Sequence, residues 1–288
     1  FVQPEKDNYN WPLLDKALQT AHDRGQTLLL RIAPYGTGPE RDVPSWYRSM
    51  VGDRDEWLPD GMKGWRVDAE DPRYAQYFGK MISALGQRYD GHPDLEAVDL
   101  SIVGFWGEGR GSAILTQKTR AALVNAYTDN FKKTPLIMLL TDEVTNKYGL
   151  SQADVGWRVD CIGDLGFWAE EQDGFNHMYD RYPMDIIHYG MQDAWKKAPV
   201  SLEVCGTLKS WKEKQGYGLD EVRFIIDESL KWHISSFNAK SSQVPEEWEP
   251  LINDWLKKMG YRFVLRKFTY PETVKANESL HFTSWWDN

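Results

Sequence analysis

The chain has 288 residues, 41% apolar and 27% charged, with a formal net charge of −9. It is long enough to bury one large core or two ordinary ones. The acidic balance excludes a nucleic-acid backbone as a general partner, since that needs basic surface, and no apolar run approaches the roughly 20 residues of a membrane-spanning helix. The first residues, FVQPEKDNYN, lack the basic-then-apolar pattern of a signal peptide. Cys161 and Cys205 form no disulfide framework or zinc-ligand spacing, and two buried thiols are expected. Aromatic residues reach 14%, with 14 Trp. Such side chains fill cores, and their faces also suit the apolar C–H face of a pyranose.

In chain order, WPLLDKALQTAHDRG (11–25) has helical spacing at Leu14, Ala17, Leu18 and Ala21, with Gly25 as the stop. TLLLRIAPYG (27–36) is a continuous apolar run suited to a strand buried on both faces. A long loop, 35–70, follows, rich in Gly, Pro and Trp. DPRYAQYFGKMISALGQRY (71–89) predicts a helix with Pro in its first turn. LEAVDLSIVGFW (95–106) is the next strand, and helix 116–132 precedes strand PLIMLLTDE (135–143). A mixed segment leads to strand WRVDCIGDLG (157–166). A helix near 173–182 precedes strand PVSLEVCGT (199–207), and helix 219–231 precedes strand HISSFNAKS (233–241). Helix 246–259 closes the series.

Six strands alternating with helices predict parallel βα units, and each strand ends in polar and glycine residues. The expected fold is α/β, a (β/α)₈ barrel over residues 1–259. No GxGxxG opens a helix, so a dinucleotide-binding sheet has no support. A closed barrel needs eight strands, so two strands and a helix are expected to precede Phe1. Residues 260–288 alternate like strands and are expected to begin a β-sandwich domain.

Barrel active sites lie at the C-terminal strand ends. The candidates there are Arg31 and Tyr35, then Trp106, Glu108 and Arg110, then Asp142 and Glu143, then Asp164, Glu203 and Asn238. Trp46 and Trp168 are further aromatic candidates, each equally suited to a core. Glu108 stands in VGFWGEGRG (103–111), framed by four glycines that can admit a ligand close to the backbone. Glu203 lies in a buried strand between Leu202 and Val204, where an acid needs a partner or a task. Two carboxylates flanking a sugar can hydrolyse a glycosidic bond, one protonating the leaving oxygen and the other attacking the anomeric carbon. Asp142, Glu143 and Asp164 are rivals for the second carboxylate, and hydrogen bonds to sugar hydroxyls or to Arg31 are their preferred role. Arg31 would keep the nucleophile ionised. His188 and His233 read as structural. No His-x-His or Cys/His cluster offers a metal site, and no cofactor is implied.

These motifs resemble clan A glycoside hydrolases, and among them the family 42-type β-galactosidases and related uncharacterised bacterial barrels. The resemblance is carried by QPEKDNYNWPLLDKAL, TLLLRIAPYG with DVPSWY, YAQYFGKMISALGQRYDGHPDLEAVDLSIVGFWGEG, and SLEVCG, and spans roughly residues 3–240. It implies a retaining β-glycosidase with Glu108 as acid/base after strand four and Glu203 as nucleophile at the end of strand seven. It implies an oligo- or polysaccharide substrate, β-galactoside-like or a related plant or algal glycan. A secreted or periplasmic location is expected, with no nucleic-acid or membrane partner. A non-catalytic carbohydrate-binding barrel is the alternative. One departure stands out: most of the clan carries Asn before the acid/base, where this chain has Gly107. The sugar 2-hydroxyl contact would then fall to another group, such as Asn238 or Arg31.

Overall fold

The structure, a computed structural model, describes residues 1–38, 40–57, 63–167, 176–261 and 263–287. Its strands are β1 (Leu28–Arg31), β2 (Asp55–Trp57), β3 (Lys63–Trp65), β4 (Leu95–Asp99), β5 (Leu136–Leu139), β6 (Val155–Ile162), β7 (Val200–Val204), β8 (Ser236–Asn238), β9 (Val264–Thr269) and β10 (Thr283–Asp287). Six of them form one sheet in the order β1-β4-β5-β6-β7-β8, with every neighbouring pair parallel. Helices connect the strands, as βα units require.

The sheet curls. Arg31 on β1 and Glu203 on β7 lie four strand steps apart, about 19 Å in a flat sheet. Their side chains nevertheless meet at 3.2 Å. Such contact requires the inner face to be concave. Among the described residues the sheet has six strands, with β1 and β8 at its edges.

Alternation along each strand separates the two faces. Val98, Leu136, Met138, Val159, Leu202 and Val204 join Ile82, Leu85, Leu123 and Tyr127 of the helices in one buried cluster. Their neighbours Asp99, Arg158, Ser201 and Glu203 turn to the concave side. Each fully buried aliphatic side chain in the outer layer contributes about 1.5–3 kcal/mol, so the outer layer has the driving force and the inner face is left for chemistry.

The observed strands are shorter than the sequence predicts at their C-terminal ends: β4 stops at Asp99 and β5 at Leu139. The chain leaves the ladder there and turns over the mouth of the sheet. The expected loop 35–70 contains helix Ser45–Val51 and the antiparallel pair β2/β3, pieces too short for periodicity to reveal. The mixed segment before β6 holds helix Glu143–Gln152. Beyond the last helix, Glu249–Lys258, the described residues form the two-stranded antiparallel sheet β9/β10. Cys161 and Cys205 are joined in a disulfide, in place of the two thiols expected. They follow each other across β6 and β7, a proximity created by strand pairing and invisible in their spacing of 44 residues. No described helix is long and apolar enough to cross a membrane.

Helix Pro72–Tyr89 shows how local signals fix the layer outside the sheet. Asp71 caps it, accepting from the Arg73 backbone N–H at 2.9 Å, and Pro72 occupies the first turn. The same carboxylate pairs with Arg73 at 2.6 Å and with Arg54 from the preceding segment. Hydrogen bonding from Arg73 is the leading cause that holds the Asp71 carboxyl well below the usual range, with Arg54 assisting against burial. A depressed carboxyl contributes stability that is present above the unfolded-state value, about 4, and is lost as pH falls through and below it. Asp71→Ala is expected to lower unfolding free energy by about 2–3 kcal/mol at pH 7. In urea titrations the gap between wild type and variant should shrink as pH falls below about 4.

Candidate active site

The C-terminal strand ends converge on the concave face. Glu203 is 9% exposed and takes three polar contacts. Arg31 Nη2 and Asn238 Nδ2 each donate to its Oε2 at 3.2 Å, and Lys240 Nζ lies 3.2 Å from Oε1. Asn238 is its register partner on β8. The Asn238 side-chain oxygen accepts from the Lys240 backbone N–H at 2.9 Å, fixing the amide so that its nitrogen faces Glu203. Three donors around one carboxylate suit its ionised form.

Glu108 is held differently. It is half-buried and accepts no side-chain hydrogen bond among the described residues. Burial raises its proton affinity above the ordinary carboxyl value; the negative charges of Asp160 and, less, Glu203 add to the rise, while Arg31 and Arg158 oppose it. A carboxyl that keeps its proton more readily, with a second carboxyl group bearing on it, could serve as a proton donor.

The loop carrying Glu108 is shaped by backbone constraints. Gly104, Gly107, Gly109 and Gly111 all have positive φ, between 72° and 97°. A Cβ at Gly104 would meet the backbone nitrogens of Gly109 and Arg110, and one at Gly109 would meet Thr141 Oγ1 at 2.4 Å. At Gly107 a Cβ would lie 2.1 Å from Ser101 Oγ. The Asn that the clan carries before its acid/base therefore does not fit this loop as folded. Trp106 also adopts a left-handed backbone, φ 53°, at a cost of about 1–3 kcal/mol. Its side chain is half exposed. Tyr35 holds the loop from β1: its hydroxyl accepts from Gly104 N–H at 2.8 Å and its carbonyl from Trp106 N–H at 2.9 Å.

Beneath the two glutamates lies a group that sequence reading missed. Asp99 on β4, 4% exposed, accepts from Arg158 Nε on β6 and lies 3.8 Å from Arg31 Nε. Arg158 Nη2 donates to the Gly107 carbonyl at 3.0 Å. Asp160, two residues along β6, contributes charge at the same level. The signal available in the sequence was the R-x-D alternation of Trp157-Arg158-Val159-Asp160, which sets two opposite charges on one strand face.

The other expected site residues have assigned structural partners. Asp142 is buried and caps helix Glu143–Gln152, accepting from Thr145 N–H at 2.8 Å and from the Ser112 hydroxyl at 2.5 Å. Glu143 is exposed on the first turn of that helix and pairs with Lys147. Asp164 is buried and accepts from Gly166 N–H, from His177 N–H and from the His177 ring at 2.6 Å, bracing the turn after β6. Trp46 donates to the Gln3 carbonyl at 3.2 Å and packs edge-on against Tyr47 and Tyr77. It lines an apolar cavity of about 320 Å³ beside Arg31. Arg110 is exposed beside Glu108 in the chain. Trp168 lies outside the described residues. Among the described residues no His, Cys, Asp and Glu cluster could hold a metal ion.

No family model matches the chain, and no curated protein matches it in sequence. Among solved structures it is similar to endo-glycoceramidase II from Rhodococcus sp. The lactosyl-enzyme intermediate of that protein aligns with a TM-score of 0.52 at 12% identity, over 92% of this chain and 68% of that one. The ganglioside GM3 complex aligns with a TM-score of 0.51 at 14% identity, over 92% and 69%. The likeness is one of fold.

The fit at position 107 is testable. Gly107→Ala combines a left-handed φ with the overlap on Ser101 and is expected to cost about 2–4 kcal/mol in urea unfolding. Adding Ser101→Gly should recover the steric part and leave the backbone part, a non-additivity measurable in a double-mutant cycle.

Proposed function

We propose that this protein is a retaining β-glycosidase acting on an oligo- or polysaccharide, in which Glu108 is the acid/base and Glu203 the nucleophile. The observation that carries this reading is the contrast between the two glutamates. Glu203 is buried under Arg31, Asn238 and Lys240, while Glu108 accepts no side-chain hydrogen bond among the described residues and has a raised proton affinity. In the first step Glu108 donates its proton to the glycosidic oxygen as Glu203 attacks the anomeric carbon, giving a glycosyl-enzyme ester. In the second, Glu108 takes a proton from water, and the water oxygen displaces Glu203. Arg31 and Lys240 stabilise the Glu203 carboxylate as it leaves, and their release or motion accompanies attack. The rise in Glu108 proton affinity reverses in part once Glu203 is esterified and its charge is gone, which suits Glu108 to its later role as base.

The fold likeness to a protein solved as a lactosyl-enzyme intermediate supports this reading, as does the resemblance of VGFWGEG and SLEVCG to clan A motifs. A β-galactoside-like glycan is the proposed substrate class. Gly107 has no side chain for the 2-hydroxyl contact, and Asn238, whose amide nitrogen is turned to Glu203, is the proposed substitute. The Cys161–Cys205 disulfide supports an oxidising compartment, secreted or periplasmic.

The test is hydrolysis of a panel of aryl β-glycosides and oligosaccharides. Wild type is expected to turn over at least one of them with retention, and Glu108→Gln and Glu203→Gln to lose about 10³-fold or more in kcat. A 2-deoxy-2-fluoroglycosyl fluoride should label Glu203. Sugar binding without turnover by wild type, or a label on another carboxylate, would overturn the assignment. Retention also predicts about 5–5.5 Å between the two carboxyl groups in a ligand-bound structure.

A further inference from the structure

We propose that Asp99 is the positioning residue of this site: through Arg31 it holds Glu203, and through Arg158 it holds the backbone that carries Glu108. This rests on the reading of the two glutamates given above. Asp99 lies on β4, in register with Arg31 on the neighbouring strand. Its Oδ2 receives Arg158 Nε–H and lies 3.8 Å from Arg31 Nε. Each arginine then reaches outward with another nitrogen. Arg31 Nη2 ends on Glu203 at 3.2 Å, and Arg158 Nη2 ends on the carbonyl of Gly107, the residue before Glu108, at 3.0 Å.

Guanidinium groups are planar and rigid, so the hydrogen-bonded Nε of Arg158 fixes where its far nitrogen points, while Arg31 is held by charge attraction at 3.8 Å. One buried carboxylate thereby sets two arms, and the arms end on the two groups whose separation decides the chemistry. The network is poorly suited to a purely stabilising role. Asp99 Oδ1, Arg31 Nη1 and Arg158 Nη1 are buried with no protein hydrogen-bond partner among the described residues, whereas a device for stability is expected to pair its donors and acceptors. Without Asp99, two guanidinium charges would face each other on the inner face with no anion between them, and each arm would be free to swing.

Asp99, whose proton affinity burial raises against the pull of Arg158 and Arg31, bears on Glu108 through those two arginines. The groups that face Glu108 are Asp160 and Arg158 from β6, Arg31 from β1 and Glu203 from β7. Those that face Asp99 are Arg158, Arg31 and Asp160, with Tyr127 from the helix behind. Neutralising Asp99 leaves both arginines less compensated, so Glu108 gives up its proton at lower pH.

The experiment compares wild type with Asp99→Asn in three measurements: kcat and KM on the preferred aryl glycoside, the pH profile of kcat, and ¹³C NMR titration of the Glu108 carboxyl carbon. The expected result is a kcat loss of about a hundredfold with KM within about threefold, as misplacement by about 1 Å produces. The basic limb of the profile and the Glu108 titration should both move to lower pH. A folded Asp99→Asn with unchanged kcat and an unchanged Glu108 titration overturns the proposal. Should Asp99→Asn fail to fold, Arg158→Lys keeps the charge but loses the forked reach to Gly107. A tenfold or greater fall in its kcat with KM kept supports the proposal, and an unchanged kcat overturns it. If wild type hydrolyses no glycoside, the glycosidase reading falls by itself, and crystal structures of wild type and Asp99→Asn decide the role of Asp99: Arg31 and Arg158 displaced from Glu203 and the Gly107 carbonyl support it, and unmoved side chains overturn it.

Discussion

The contact between Arg31 and Glu203 constrains the whole sheet. A guanidinium on the first strand and a carboxylate four strands away can meet only if the sheet curls. In a flat or unrolled sheet Arg31 would keep Asp99 on the neighbouring strand but lose Glu203, leaving that buried carboxylate without its cross-sheet cation, a costly state. Register is under the same control. A slip of one residue on β7 would turn Glu203 into the helix layer and Leu202 onto the polar face. The apolar outer layer supplies the driving force for collapse, and the inner charges select which collapsed arrangement is kept. That division explains how a face with so little apolar area can be lined by ionised groups and still belong to a stable sheet.

The loop at 101–111 obeys a second constraint, close backbone packing. Gly104, Gly107 and Gly109 are placed where a side chain would strike the loop itself, Ser101 or Thr141. Tyr35 and Arg158 then pin the loop from opposite sides, one at Gly104 and Trp106, the other at Gly107. The strained Trp106 sits between these pins. Strain at one residue is sustainable because neighbouring hydrogen bonds over-determine the path. A tight loop held at both flanks carries Glu108 with no side-chain hydrogen bond to its carboxylate among the described residues, leaving that group available to exchange a proton.

Much of this was legible in the sequence where a single periodicity decided the outcome. Helix Leu219–Lys231 and the start of helix Pro72–Tyr89 fall where their apolar spacing and caps put them. The six parallel strands follow from alternation with helices, and Glu203 declares itself as an acid in an apolar run. The strand ends were overextended because residues such as Ile102 and Val103 are apolar and buried yet leave the ladder. Asp142 and Glu143 looked like strand-end acids, but the ladder stops at Leu139 and they begin a helix instead. Asp99 and Arg158 were passed over because their meaning depends on a cross-sheet pairing that no local window contains. The Cys161–Cys205 bond was hidden for the same reason.

Charge balance ties the site's parts together. Arg31, Arg158 and Lys240 bring three positive charges to the concave face, and Asp99, Asp160, Glu108 and Glu203 bring four carboxyls. With all four ionised the group carries one excess negative charge in a partly desolvated space. One proton restores neutrality. Glu203 has three donors on it, whereas Asp99 takes its arginines on Oδ2 alone, its Oδ1 has no hydrogen-bond partner among the described residues, and burial raises its proton affinity. Glu108 has no side-chain donor among the described residues and two carboxylates bearing on it. Burial and these two carboxylates raise the proton affinity of Glu108, in the direction the proposed acid/base role requires before the first step. On the proposed mechanism esterification of Glu203 would remove one negative charge and lower the proton affinity of Glu108, letting its proton leave in the later step.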